Sequence, residues 1–199
     1  MQPNIIENFI SEESCKLINN YLAPKTKVLE GDESHPMGKR YYSIFNREKQ
    51  YFFNSGMPVD STDKIVFDLI NLIQKSISTY FNMPPNEIKI RSMQYTLLEN
   101  GQSLPMHHDW GVSRCEVYSS ILYLNDDYTG GEVVFYDEDT AIGTTYSPKT
   151  GTLLYFPGTE KYHHEVMPVR SGSMSNFVIF FEGITEKKNS DQVKIRYED

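Results

Sequence analysis

From residue 87 to residue 182 the chain breaks into short segments of strand-like alternation, each closed by a turn signal. Glu87–Glu99 ends at Asn100-Gly101, and Tyr118–Leu124 runs into Asn125-Asp126-Asp127 and then Gly130-Gly131. Glu132–Tyr136, Thr152–Phe156, His164–Val169 and Met174–Glu182 follow, with Gly143 and Pro148–Gly151 as further punctuation. Short strands with no helical segment between them bury their apolar faces only against one another. The expected fold is therefore a sandwich or barrel and not a βαβ unit. The 14 tyrosines and 11 phenylalanines suit strands. With 199 residues and 39% hydrophobic content, a single domain over 1–199 is expected. Its parts would be a mixed helical flank at 1–86, a β core at 87–183 and a charged tail at 184–199. Within that tail Val193–Tyr197 reads as an edge strand.

The flank carries its own signals. Ser11 is a good N-cap, and Glu12 and Glu13 sit in a first turn that favours acidic residues. Ile10 and Cys15 are spaced as a hydrophobic staple, and Leu17, Ile18, Tyr21 and Leu22 form an apolar face up to Pro24. Residues 26–37 read as a loop and Arg40–Phe45 as a strand. A second helix is expected from Asp60 to about Phe81, with Ile65, Val66, Leu69, Ile70, Ile73, Ile77 and Tyr80 at helical spacing.

Several functions are disfavoured. A formal charge of −8 with no basic run argues against nucleic acid as a partner. No apolar run approaches the ~18 residues of a membrane span, and the N-terminus has no basic region leading into an apolar one. Cys15 and Cys115 are too few for a disulfide scaffold and read as buried thiols, so a cytoplasmic, reducing setting is expected.

Four of the five histidines fall in adjacent pairs, His107-His108 and His163-His164; His35 lies in the polar loop. Asp109 completes an H-x-D sequence. Alternate side chains of an extended strand point the same way, so His107 and Asp109 are expected to converge while His108 faces elsewhere. His164 adds an imidazole about 55 residues later. Two imidazoles and one carboxylate can occupy one face of an octahedral Fe(II), leaving three positions for a cosubstrate and dioxygen. The same residues could hold zinc, although a zinc hydrolase also needs a base aimed at the metal-bound water. An H-x-D alone is weak; followed by a Gly-Gly turn and a histidine opening a later strand it is far more specific. His108 and His163 are expected to meet solvent or packing.

These segments resemble the Fe(II)/2-oxoglutarate-dependent dioxygenases, within them the prolyl 4-hydroxylase-like group. Asn8–Cys15 looks like that group's helix entry, and Gln94–Asp109 is similar to its first core strand and H-x-D. Ile121–Asp127 followed by Gly130-Gly131-Glu132 looks like its strand–turn–Gly-Gly signature. Leu154–Pro157 and His164–Gly172 resemble the strand before the distal ligand and the ligand's own hairpin. The resemblance implies a double-stranded β-helix (a cupin-like jelly roll) with flanking helices. It also implies His107, Asp109 and His164 as iron ligands, Fe(II) as cofactor, 2-oxoglutarate as cosubstrate and ascorbate as reductant. The implied chemistry is decarboxylation of 2-oxoglutarate to succinate and CO₂, coupled to hydroxylation of a C–H bond.

At one position the chain departs from the group. Ten residues past the distal histidine, where the group carries Lys or Arg for the cosubstrate's far carboxylate, this chain has Met174. A hairpin folding back after Gly172 would set position 174 opposite about residue 168. The candidates for holding the cosubstrate are Tyr123, Ser175, Asn176 and Arg170, or a distant arginine, Arg91 or Arg114. Trp110 and Arg114, just past the H-x-D, are the candidate substrate contacts, with Lys39–Tyr42 as a lid. The substrate class is a peptide, a protein or a small molecule. The leading reading is a hydroxylase. Its alternative is a non-catalytic or altered-cosubstrate iron-binding β-helix module, which oxygen consumption would distinguish.

Overall fold

Alternation along the second half of the chain becomes two facing antiparallel sheets. The computed structural model describes residues 2–28, 40–46, 51–52, 68, 71–72, 75, 78–79, 84, 89–109, 118–137 and 142–182. Its elements are β1 (Asn4–Ile6), α1 (Glu12–Leu22), β2 (Lys27–Val28), β3 (Arg40–Asn46), β4 (Tyr51–Phe52), β5 (Lys89–Glu99), β6 (Leu104–His107) and β7 (Tyr118–Tyr123). They continue with β8 (Thr129–Gly130), β9 (Val133–Tyr136), β10 (Gly143–Tyr146), β11 (Leu153–Pro157), β12 (His164–Val166), β13 (Val169–Ser171) and β14 (Ser173–Glu182).

The major sheet runs β1-β11-β7-β14-β5-β3-β2, with β4 on β3; the minor sheet runs β10-β9-β12-β6, and β8 pairs with β13. From β5 onward the chain passes repeatedly between the sheets: β5 major, β6 minor, β7 major, β9 and β10 minor, β11 major, β12 minor, β14 major. This is the jelly roll expected from the sequence.

The major sheet has a core on each side. Its inner face contributes Leu98, Ile121, Tyr123, Leu154, Phe156 and Met174, which pack on Val133, Phe135 and Val166 of the minor sheet. Its outer face contributes Met93, Tyr95, Leu122, Leu153, Phe177 and Ile179, covered by Ile10, Cys15, Ile18 and Leu22 of the α1 region. Helix α1 begins as expected, with the Ser11 side chain accepting from Ser14 N. Leu17 belongs to solvent and not to the expected apolar face, at 59% exposure. Gly151 ties this helix to the sheet. Its N–H donates to Tyr123 O, and its carbonyl accepts from Phe9 N, each at 2.8 Å. It adopts φ +79°, and a Cβ there would lie 2.3 Å from Ile10 O.

Four expectations are corrected. Gly143 opens strand β10 where the sequence suggested punctuation. It lies opposite Tyr136, and a Cβ would come within 2.6 Å of the Val134 side chain, so any larger residue here would have to displace Val134. The stretch His164–Val169 is two strands. Pro168 has no N–H to extend a ladder, and at this point the chain changes partners, Met167 N donating to Glu132 O and Val169 N to Gln102 O. After Gly172 the chain does not fold back on that segment. β14 enters the major sheet between β7 and β5, placing Met174 opposite Leu98 and not opposite residue 168. Arg40–Tyr42 pair with β5 as part of the sheet, so they form no separate lid. Residues 68, 71, 72, 75, 78 and 79 are helical within the expected second helix; the rest of it, and Val193–Tyr197, lie outside the described residues.

Candidate metal centre

His107 and His164 come together by strand pairing. β6 and β12 are antiparallel neighbours in the minor sheet, with His107 and His164 directly opposite. Cross-strand partners share a face, and the two rings lie 4.3 Å apart. Asp109 arrives differently. β6 ends at His107, and Asp109 sits beyond it in a bend, so convergence comes from the chain leaving the strand and not from strand alternation. Asp109 Oδ1 is 3.8 Å from His107 Nε2, and its Oδ2 is 4.0 Å from His164 Nε2. One potential ligand atom from each residue falls within 4.8 Å of the others.

The backbone sets the tautomer of both imidazoles in the same way. His107 Nδ1 is 2.8 Å from Pro105 O, and His164 Nδ1 is 3.1 Å from Tyr162 O, in each case the carbonyl two residues earlier. A carbonyl only accepts, so Nδ1 carries the proton and donates. That leaves each Nε2, the ring nitrogen facing Asp109, as the position that can bind a metal. His164 is 3% exposed and Asp109 5%. Burial pushes the His164 pKa down to about 4, against the opposing pull of the Asp109 carboxylate. His164 is thus neutral near pH 7. Phe135 stacks on its ring at 5.3 Å and Phe156 meets it edge-on at 4.9 Å, which fixes the ring plane and excludes water. The result is a cluster of three potential acceptors in which Asp109 and His164 are buried and the His107 side chain is 38% exposed. A cation satisfies all three at once.

The other predicted residues divide by face. Tyr123 and Asn176 are on the inner face of the major sheet, opposite each other across β7 and β14. The Tyr123 hydroxyl is buried without a hydrogen-bond partner, and burial raises its pKa well above the usual tyrosine range. Ser175 points to the opposite face, where its hydroxyl and N–H both donate to Asn125 Oδ1. Strand alternation separates it from Asn176 and removes it from the interior. Arg170 is exposed on β13 with its guanidinium 3.8 Å from Glu132. Trp110 and Arg114 lie outside the described residues. His108 and His163 pack edge-to-face at 5.2 Å, apart from the acceptor cluster. Sequence reasoning missed Thr96, which donates to Asn176 Oδ1, and the Phe135 and Phe156 walls. Alternation could have placed those two rings on the inner face, but the two tautomer-setting carbonyls leave no trace in side-chain identity.

Residues 92–181 match the model of the 2OG-Fe(II) oxygenase superfamily. This stretch is similar to a 2OG-Fe(II) oxygenase domain. Prolyl 3-hydroxylase 2 of Mus musculus is 32% identical over 207 residues, an alignment covering 89% of this chain and 29% of that protein. The chain therefore spans less than a third of that relative's length. Among solved structures, a 2OG-Fe(II) oxygenase-family oxidoreductase from Burkholderia pseudomallei superposes with TM-score 0.71 at 17% identity, covering 91% of this chain and 85% of the other. A Pseudomonas putida prolyl-4-hydroxylase gives TM-score 0.64 at 14% identity, covering 91% and 92%. The oxygenase family uses Fe(II) and 2-oxoglutarate. The donor set suits the metal: two imidazole nitrogens and a carboxylate are borderline and hard ligands of the kind Fe(II) takes. Among the residues with described side chains the interior holds no lysine or arginine. Every lysine and arginine whose side chain is described is exposed: Lys16, Lys75, Lys149, Lys161 and Arg170.

Proposed function

We propose that the chain is an Fe(II)- and 2-oxoglutarate-dependent hydroxylase in which His107, Asp109 and His164 are the iron ligands. The observation that carries this reading is the cluster of three potential acceptors, with both Nδ1 atoms tied to carbonyls and both Nε2 atoms facing one buried carboxylate. The bound metal and 2-oxo acid supply the oxidising power for inserting oxygen into a C–H bond. The chain's own residues do the positioning. Pro105 O and Tyr162 O hold the tautomers, and Phe135 and Phe156 hold the His164 ring and keep the inner side dry. The substrate class is a peptide or protein with an accessible prolyl residue, in line with likeness to prolyl hydroxylases. Among the described residues no helix is long and apolar enough to cross a membrane. Cys15 is a free buried thiol pushed up to about 11 by burial, in keeping with a cytoplasmic setting.

Anaerobic titration of the metal-free protein with Fe(II) and then 2-oxoglutarate tests the reading. The visible charge-transfer band of an iron-chelated 2-oxo acid is expected in the wild type and absent in His164→Ala. Full turnover in His164→Ala would remove His164 from the ligand set.

A further inference from the structure

The inner face of the major sheet carries a polar row across its central strands; the buried Ser119, also without a hydrogen-bond partner, lies on the same face four residues before Tyr123. Tyr123, Asn176 and Thr96 stand opposite one another across β7, β14 and β5. The Thr96 hydroxyl donates to Asn176 Oδ1, which orients the amide with Nδ2 as its donor side. Tyr123 is completely buried, and its hydroxyl has no partner. Leaving such a group unsatisfied is costly, so the row suits an acceptor that arrives from outside. The next inward-facing residue on β14 is Met174, wholly buried opposite Leu98. Its Sδ lies 3.2 Å from where a Cβ on Gly131 would be, so the thioether closes the end of the row. The row is continuous with the metal centre through one apolar cluster. Tyr123 and Met174 belong to it with Phe135 and Phe156, which touch His164.

We propose that this row receives the far end of the cosubstrate as a subsite with no cationic side chain among the described residues, so that a distal carboxylate is accepted but not required. Tyr123 and Asn176 act there as neutral donors, and 2-oxo monocarboxylic acids of similar length bind alongside 2-oxoglutarate. The inference rests on the reading of His107, Asp109 and His164 as the iron site. A buried carboxylate owes most of its affinity to a charge-assisted pair. Without a cation, hydrogen bonds only partly return the cost of stripping its water. An alkyl end incurs no such cost against Met174, Leu98 and Leu154, which lie in that same cluster. The tyrosine stays a donor, since burial keeps its proton on.

The test uses the full chain loaded anaerobically with Fe(II). It is titrated with 2-oxoglutarate and separately with 2-oxopentanoate, which has a methyl group in place of the distal carboxylate, and the charge-transfer band is read. The two dissociation constants are expected within about tenfold of each other. Tyr123→Phe should weaken 2-oxoglutarate by about tenfold and leave 2-oxopentanoate nearly unchanged, because only the carboxylate accepts from the hydroxyl. Met174→Lys should shift selectivity toward 2-oxoglutarate by about tenfold or more. If that variant does not fold, the wild-type comparison and Tyr123→Phe still decide. A wild-type preference for 2-oxoglutarate beyond about a hundredfold would overturn the proposal by showing that a cation reaches the subsite. Iron uptake with no band from either acid would overturn the cosubstrate subsite while leaving the ligand set standing. Failure of iron to bind would defeat the iron-site reading instead.

Discussion

Asp109→Asn reverses its effect on stability when metal is added. In the metal-free protein the Asp109 carboxylate is buried, 3.8 and 4.0 Å from two imidazole nitrogens that carry lone pairs. An unsatisfied buried group costs about 1–3 kcal/mol, and more when charged. Asparagine removes the charge and supplies an amide donor to one Nε2, a further gain of about 0.5–1.5 kcal/mol. Taking about 2 kcal/mol as the sum, and about 2–4 °C per kcal/mol for a chain of this size, the variant should melt about 4–8 °C higher in chelator. With Fe(II) or Mn(II) at about a hundred times the dissociation constant, the wild type gains about 2.7 kcal/mol by linkage. The variant, lacking its anionic ligand, gains little. Scanning calorimetry at pH 7.5, anaerobic, with and without metal, reads both orders. A variant less stable than wild type in chelator would refute the reasoning: it would mean that a protonated histidine pairs with Asp109 as a structural ion pair.

Two further outcomes follow from the same geometry. Gly151→Ala puts a Cβ 2.3 Å from Ile10 O in a left-handed conformation, and should cost more than ~2 kcal/mol. A urea midpoint unchanged from wild type would show that the α1 junction gives way without penalty. For pH, an unfolded imidazole titrates near 6.5 while the folded His164 is held to about 4. Between those values the unfolded chain binds more protons, so metal-free stability should fall as pH drops from 6.5 toward 4, and this group's contribution should be level above 6.5. Urea midpoints in chelator across that window check this, and His164→Gln should flatten the dependence.

Much of the fold was legible because alternation and turn residues act locally. The major strands β5, β7, β11 and β14 are found within a residue or two of their expected bounds, and the Ser11 cap opens α1 as expected. Strand β10 escaped because its first residue is a glycine, a turn signal when read alone, that a close approach to Val134 requires. The break at Met167-Pro168 escaped because it depends on which carbonyls lie nearby. The expected alternation of His107 and Asp109 along one strand does not describe their convergence: β6 stops at His107.

The identity of the acceptor residues, their spacing and the absence of a lysine or arginine at position 174 are properties of the sequence itself. Composition and period likewise determined that short strands would have to bury one another's faces, since no other element could cover them. Whether Ser175 or Asn176 meets the interior was decided by the register of β14 between β7 and β5, because a one-residue change of phase exchanges the two faces of a strand. The neutrality of His164, the direction of each Nε2 and the unpartnered state of the Tyr123 hydroxyl were decided only by tertiary structure. Each depends on burial and on backbone carbonyls, which every residue possesses and whose positions only the folded chain defines.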